Sequence, residues 1–183
     1  TTWRRGGVLS EISYTAIPSA DTIGLVLNDA EMSIVDLSGA TPVKTDYASP
    51  LVYSTAYAAI SNTEWLAGNR WGALAIAPDA PSTPTYFGWG TAFSVATSPE
   101  RIVVATGSGN LLYFDAATRE LEGVIEFPAS EVQLSADGTV LAALADTPLV
   151  DSLRFISLPS ESVLRDEPFS PTARTIDISL SAS

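Results

Sequence analysis

Apolar residues in this chain alternate with polar ones in short runs, each closed by Gly, Pro, Asp or Ser, a pattern that argues for β-strands joined by tight turns. The clearest instance spans 130–169. A strand runs up to Ser135 and an Asp-Gly turn follows in "ADG" (136–138). A second strand covers Val140 to Leu144, and a third, after a polar hairpin turn, covers Leu153 to Ile156. A further turn leads to a fourth strand opening at Val163. The segment 92–127 repeats this order, with Ser98 closing the first strand, then Ile102 to Ala105, Leu111 to Phe114 and a strand opening at Leu121. The same frame fits 14–47, where Ser19 and Asp21 occupy the first turn, "NDAE" the second and "DLSGA" the third. It fits 56–89 more loosely, because the third turn there has grown into the Pro-rich "PDAPSTP". The residues closing the third strands, Asp36, Ala77, Asp115 and Ser157, are spaced by 41, 38 and 42. Four strands in a unit of about forty residues is the period of a propeller blade.

Burial explains why such units come in series. A four-stranded antiparallel sheet with Ala, Val, Leu and Ile on both faces needs a neighbour on each side, and blades packed about an axis provide them. A β-sandwich is the alternative for short, regularly punctuated strands, but it gives no reason for the same turn order four times over. "DISLSAS" at the end of the chain repeats "EVQLSAD", pairing Ile178 with Val132 and Leu180 with Leu134. Residues 172–183 are therefore expected to be the first strand of a fifth blade, and the chain to be part of a larger propeller. The head of the chain supplies at most one outer strand, through Gly6 to Ile12. An open blade edge leaves unpaired N–H and C=O groups, so the chain is expected either to pair with another copy through its terminal strand, 174–180, or to lean on a missing partner.

Composition adds limits. The 183 residues carry 46% apolar and 16% charged side chains, with twelve Gly and twelve Pro, as in a globular β-rich chain. Apolar runs such as "WGALAIAP" (71–78) fall well short of the roughly 20 residues that cross a bilayer, so no membrane span is expected. A net charge of −12, with one lysine (Lys44), would repel a phosphate backbone, so nucleic acid is not an expected partner. The absence of cysteine removes disulfides and thiolate zinc sites. The sequence begins without methionine, which reads as a processing boundary at residue 1.

From 94 to 183 the chain resembles the bacterial β-propellers of the YVTN and WD-type, quinoprotein-like superfamily. The resemblance rests on "LSADGTVLAALAD" followed by "LRFISLPSESVL", and on "NLLYFDAATREL". The Trp-Asp dipeptide that names the WD family is absent, which tilts the likeness to the YVTN side. The resemblance implies a scaffold common in exported or periplasmic proteins, used for binding more often than for chemistry.

The chain has no histidine, so Ser-His-Asp catalysis and histidine metal sites are excluded, and no cysteine nucleophile replaces them. Asp21, Asp29, Glu31, Asp79, Asp137, Asp146 and Asp151 fall in or beside turns. They are expected to cap those turns by accepting backbone N–H bonds rather than to act as the carboxylate pair of a glycosidase. "GSGN" (107–110) lies between strands and is read as a hairpin turn, not a phosphate cradle. No catalytic residue, metal site or cofactor is expected. The most individual feature is aromatic: Trp65, Trp71, Tyr86, Phe87 and Trp89, with Asp79, around the loop 77–85. Large rigid rings beside a Pro-stiffened loop suit a protein or glycan partner, whereas rings plugging gaps between blades would be core. Two functions follow. One is a non-enzymatic binding module. The other is a fragment of a propeller enzyme, a glycosidase or quinoprotein-like dehydrogenase, whose catalytic residues lie outside this chain.

Overall fold

In a computed structural model of the chain, the described residues are 4–5, 8–9, 12–19, 22–27, 31–48, 56–61, 64–76, 85–88, 90–146, 151–158 and 160–168. They hold eighteen strands. Strands β1 (Arg4–Arg5) and β2 (Val8–Leu9) pair only with each other. The other sixteen form four antiparallel four-stranded sheets, each strand bonded to the next in sequence.

The first blade is β3 (Ile12–Ser19), β4 (Thr22–Leu27), β5 (Glu31–Asp36) and β6 (Val43–Ala48). The second is β7 (Ala56–Ser61), β8 (Glu64–Asn69), β9 (Gly72–Ile76) and β10 (Thr85–Phe87). The third is β11 (Ala92–Thr97), β12 (Arg101–Thr106), β13 (Asn110–Asp115) and β14 (Leu121–Glu126). The fourth is β15 (Glu131–Leu134), β16 (Val140–Asp146), β17 (Asp151–Ser157) and β18 (Ser162–Pro168). The segments read as a fifth-blade strand and as a self-associating edge, 172–183 and 174–180, lie outside the described residues.

The blades are arranged radially. First strands lie side by side, β3 against β7, β7 against β11 and β11 against β15. Two hydrogen bonds tie them: the Thr97 hydroxyl donates to the Ala59 carbonyl (2.5 Å), and the Val132 amide to the Ser94 hydroxyl (3.2 Å). Burial falls away from that inner ring. In the third blade, β12 is buried at every residue after Arg101, β13 at Leu111, Tyr113 and Phe114, and β14 at no residue. This gradient is what wedge-shaped stacking requires, since sheets that meet at an axis diverge outward and leave their outer strands to water. It is also why "RIVVAT" is a continuous apolar run rather than an alternating one: both its faces are covered.

Two cores result. Leu66, Ala73, Ala75 and Phe87 of the second blade meet Val95, Ile102, Val104 and Phe114 of the third. There Phe87 and Phe114 pack edge to face, with centroids 5.2 Å apart, a favoured aromatic geometry. On its other face the third blade presents Ala96, Val103, Ala105, Leu111 and Tyr113 to Val132, Leu134, Leu141 and Ile156 of the fourth.

The turns show why their residues are there. Ser98 accepts the Arg101 amide (3.0 Å) at the β11–β12 turn. Ser135 accepts the Val140 amide (2.9 Å) at β15–β16. Asp137 accepts bonds from the Ser135 and Thr139 hydroxyls and the Thr139 amide, which hold its carboxyl down to about 2. Asp115, bonded by the Ala117 and Thr118 amides, and Asp36, bonded by that of Ser38, are lowered for the same reason. These three carboxylates are turn caps.

Candidate functional site: the rim between the second and third blades

In an antiparallel meander alternate turns lie at the same end. The β8–β9 turn, the linker from β10 to β11 and the β12–β13 turn therefore share one rim. Contacts bear this out: Thr91 donates its hydroxyl to the Arg70 carbonyl (3.4 Å), and its own carbonyl accepts the Gly107 amide (2.6 Å).

Each turn fixes a side chain. At β8–β9 the buried Asn69 accepts the Trp71 amide through Oδ1 (2.8 Å), and Gly72 takes φ +146° where a Cβ would meet the Gly88 carbonyl at 2.8 Å. That closes a two-residue turn and leaves Arg70 and Trp71 at its tip. The Arg70 guanidinium lies 4.1 Å from the Trp71 ring centroid, a cation–π contact. On β11 the register skips between Ala92 and Ser94, so Phe93 is the extra residue of a bulge. The bulge turns its ring to solvent beside Gly107. At β12–β13 the Thr106 hydroxyl bridges the Asn110 amide and carbonyl (3.2 and 2.9 Å) and lies 2.9 Å from the Ser108 hydroxyl, to which the Asn110 amide group donates (3.1 Å).

Beside this rim a cavity of about 410 Å³ opens between the two blades. Thr106, Ser108 and Asn110 form its polar end, Leu112, Phe114 and Leu121 its apolar floor, and Gly88 its edge. Leu121 remains 53% exposed.

The structure divides the aromatic set singled out in the sequence. Trp65 and Phe87 are each 2% exposed and belong to the interior. Trp71 and Tyr86, at 55% and 65%, stand in water. Phase along the strand separates them: Phe87 pairs with Ala73 on the face toward the third blade, and Tyr86 with Leu74 on the opposite face. Asp79 and Trp89 lie outside the described residues. Arg70, Phe93 and the Thr106–Asn110 cluster were not picked out by sequence. "NRWG" carried a signal for Arg70, as a charged-aromatic pair at a tight turn, while the Phe93 bulge is a mismatch between two strands that one strand does not reveal.

Hydroxyls and an amide at the mouth of a small hollow, with the exposed rings of Trp71 and Phe93 on the same rim, suit recognition. Among the described residues no group of three or more Asp or Glu is placed to hold a metal. Two carboxylates of these blades are in ion pairs: Glu64 with Arg119, and Glu122 with Arg101 at 2.9 Å.

No family model matches the sequence, and no curated protein does. Solved structures do. Hydrazine synthase of Kuenenia stuttgartiensis superposes with a TM-score of 0.65 at 18% identity, over 84% of this chain and 47% of that one. The β-propeller domain of Cps50 (Swd1) from Myceliophteria thermophila gives 0.62 at 18%, over 82% and 57%. A chain of the mitotic checkpoint complex gives 0.68 at 12%, over 88% and 54%. The chain thus spans about half the length of these structures. Its fold is all-β, a set of propeller blades.

Proposed function

We propose that this chain is a non-enzymatic binding module, part of a larger propeller from an exported bacterial protein, and that the rim of the second and third blades contacts a protein or glycan. The observation that carries this reading is the exposed Trp71 with Arg70 stacked upon it, next to the bulged Phe93 and the Thr106–Ser108–Asn110 cluster. The complete lack of histidine and cysteine weighs in the same direction. So does the name of one neighbour, which is a complex of proteins.

The test is a screen of the folded chain against a glycan array and a phage-displayed random-peptide library, repeated with Trp71→Ala and Phe93→Ser. A selected ligand is expected to lose at least about tenfold in affinity with either variant, as hot-spot aromatics do. Ligands indifferent to both substitutions would move the site elsewhere. The competing reading, an enzyme fragment, has in its support that another neighbour is by name a synthase. It would prevail if a longer form of the protein showed turnover that substitution of a carboxylate outside residues 1–183 abolished. Export is checked by fractionating the source cells and sequencing the native N-terminus.

A further inference from the structure

The fourth blade has a second apolar face, turned away from the third. Ala142 and Leu144 of β16 lie on it fully buried, with Leu153 and Phe155 of β17 packed against them. Strand pairing shows what this face corresponds to. In the third blade Thr97 pairs with Ile102, and in the fourth Leu134 pairs with Leu141. Aligning the blades on these pairs brings Val103 onto Ala142 and Ala105 onto Leu144. The next ladder brings Leu111 onto Leu153 and Tyr113 onto Phe155. Even the irregularity is repeated, since both blades slip register after that aromatic, between Tyr113 and Phe114 and between Phe155 and Ile156.

Val103, Ala105, Leu111 and Tyr113 are the seat on which the fourth blade rests, and Val132 and Leu134 of its first strand are the residues that enter it. The outer face of the fourth blade is thus a second copy of a seat whose occupant is known. The chain also carries the matching occupant, because Ile178 and Leu180 stand in "DISLSAS" where Val132 and Leu134 stand in "EVQLSAD". Reach is no obstacle. Segments 88–91 and 127–130 carry the chain from a fourth strand to the next first strand, and 169–176 is twice as long.

We propose that the face formed by Ala142, Leu144, Leu153 and Phe155 is a blade-docking surface, and that its occupant is the segment 177–182 of the same chain, laid against β15 as β15 is laid against β11. The inference is independent of the rim's ligand. In this arrangement Ile178 and Leu180 bury against Leu144 and Leu153, and the Ile178 amide points at the side chain of Glu131 as the Val132 amide points at the Ser94 hydroxyl.

The chain has no cysteine, which makes the test clean. Val132→Cys with Ser94→Cys is the control, since those positions are in contact across the existing interface. Ile178→Cys with Glu131→Cys is the trial. Under mild oxidation at low protein concentration, both pairs are expected to close a disulfide within a monomer, read by non-reducing electrophoresis and intact mass; a disulfide needs Cα atoms roughly 4.4–6.8 Å apart, so closure reports that the two strands lie side by side. A trial pair that crosslinks only between chains would give the seat to a second copy and overturn the proposal. So would a trial pair that stays reduced while the control closes. Circular dichroism matching the parent chain shows that neither pair has disturbed the blades.

Discussion

At the scale of single residues the contacts that join blades are made by side chains far apart in sequence. Tyr113 of β13 donates its hydroxyl to Glu161 in the β17–β18 turn (2.6 Å), and Gly123 across the ladder leaves the room they need. Burial, together with the bond and the charge of Glu161, pushes the phenol up to about 12. A phenol whose folded value lies above its unfolded value of about 10 stabilises the folded chain fully below pH 10. That contribution is lost as pH rises toward 12. Tyr113→Phe is expected to cost about 1 kcal/mol at pH 8, the scale of one such bond to a carboxylate that water still reaches. The gap to the parent chain should then close as the pH rises from 10 toward 12. Urea unfolding of both chains at pH 8 and pH 11 checks it, and a gap of constant size would show that the hydroxyl acts only by filling space.

Elements were legible in the sequence to the extent that their determinants are local. The Asp-Gly turn of the fourth blade could be read because Asp137 caps the turn with its own neighbours, and Gly138 at φ +66° supplies the one conformation that side chains resist. Third strands close at Asp36, Asp115 and Ser157, as the turn spacing implies; the second blade's closes at Ile76, and Ala77 lies outside the described residues. What could not be read are partners chosen by the fold. Trp65 and Trp71 are the same residue type six positions apart, yet one is interior and one exposed, because β8 ends between them. Arg119 reaches Glu64 from the neighbouring blade while its backbone sits at φ +66°, a position where glycine would have been the expectation. The Gly138 turn also abuts the turn of the third blade, where Arg101 donates to the Gly138 carbonyl (3.0 Å). A Cβ there would lie 2.5 Å from the Ser98 hydroxyl, whereas one on Gly90, at φ +88°, would meet nothing within 4 Å. Gly90→Ala should therefore cost only the left-handed backbone term, roughly 1–2 kcal/mol. Gly138→Ala should cost measurably more in thermal unfolding, and equal losses would mean that the two turns do not press on each other.

For the whole molecule, radial stacking makes a prediction that a two-layer sandwich does not. Among the described strands blades pack on their neighbours in sequence order, so stability is a sum of blade and interface contributions, and protection within a blade should follow distance from the axis. β12 is flanked on both faces and β13 on one face and part of the other, while β14 and β18 are exposed along most or all of their length. Amide hydrogen exchange should accordingly be slowest in β12, with β13 next and β14 fastest, even though all three belong to one hydrogen-bonded sheet. The third blade as a unit should outlast the others, since described apolar cores cover it on both sides. Local opening that begins at outer strands gives this graded order. Uniform protection from β11 to β14 would mean that blades open as rigid leaves, with the interfaces rather than the ladders as the weak points. In that case the face carrying Leu144 and Phe155 would be the first place to look for cooperative loss, because the third blade does not cover it.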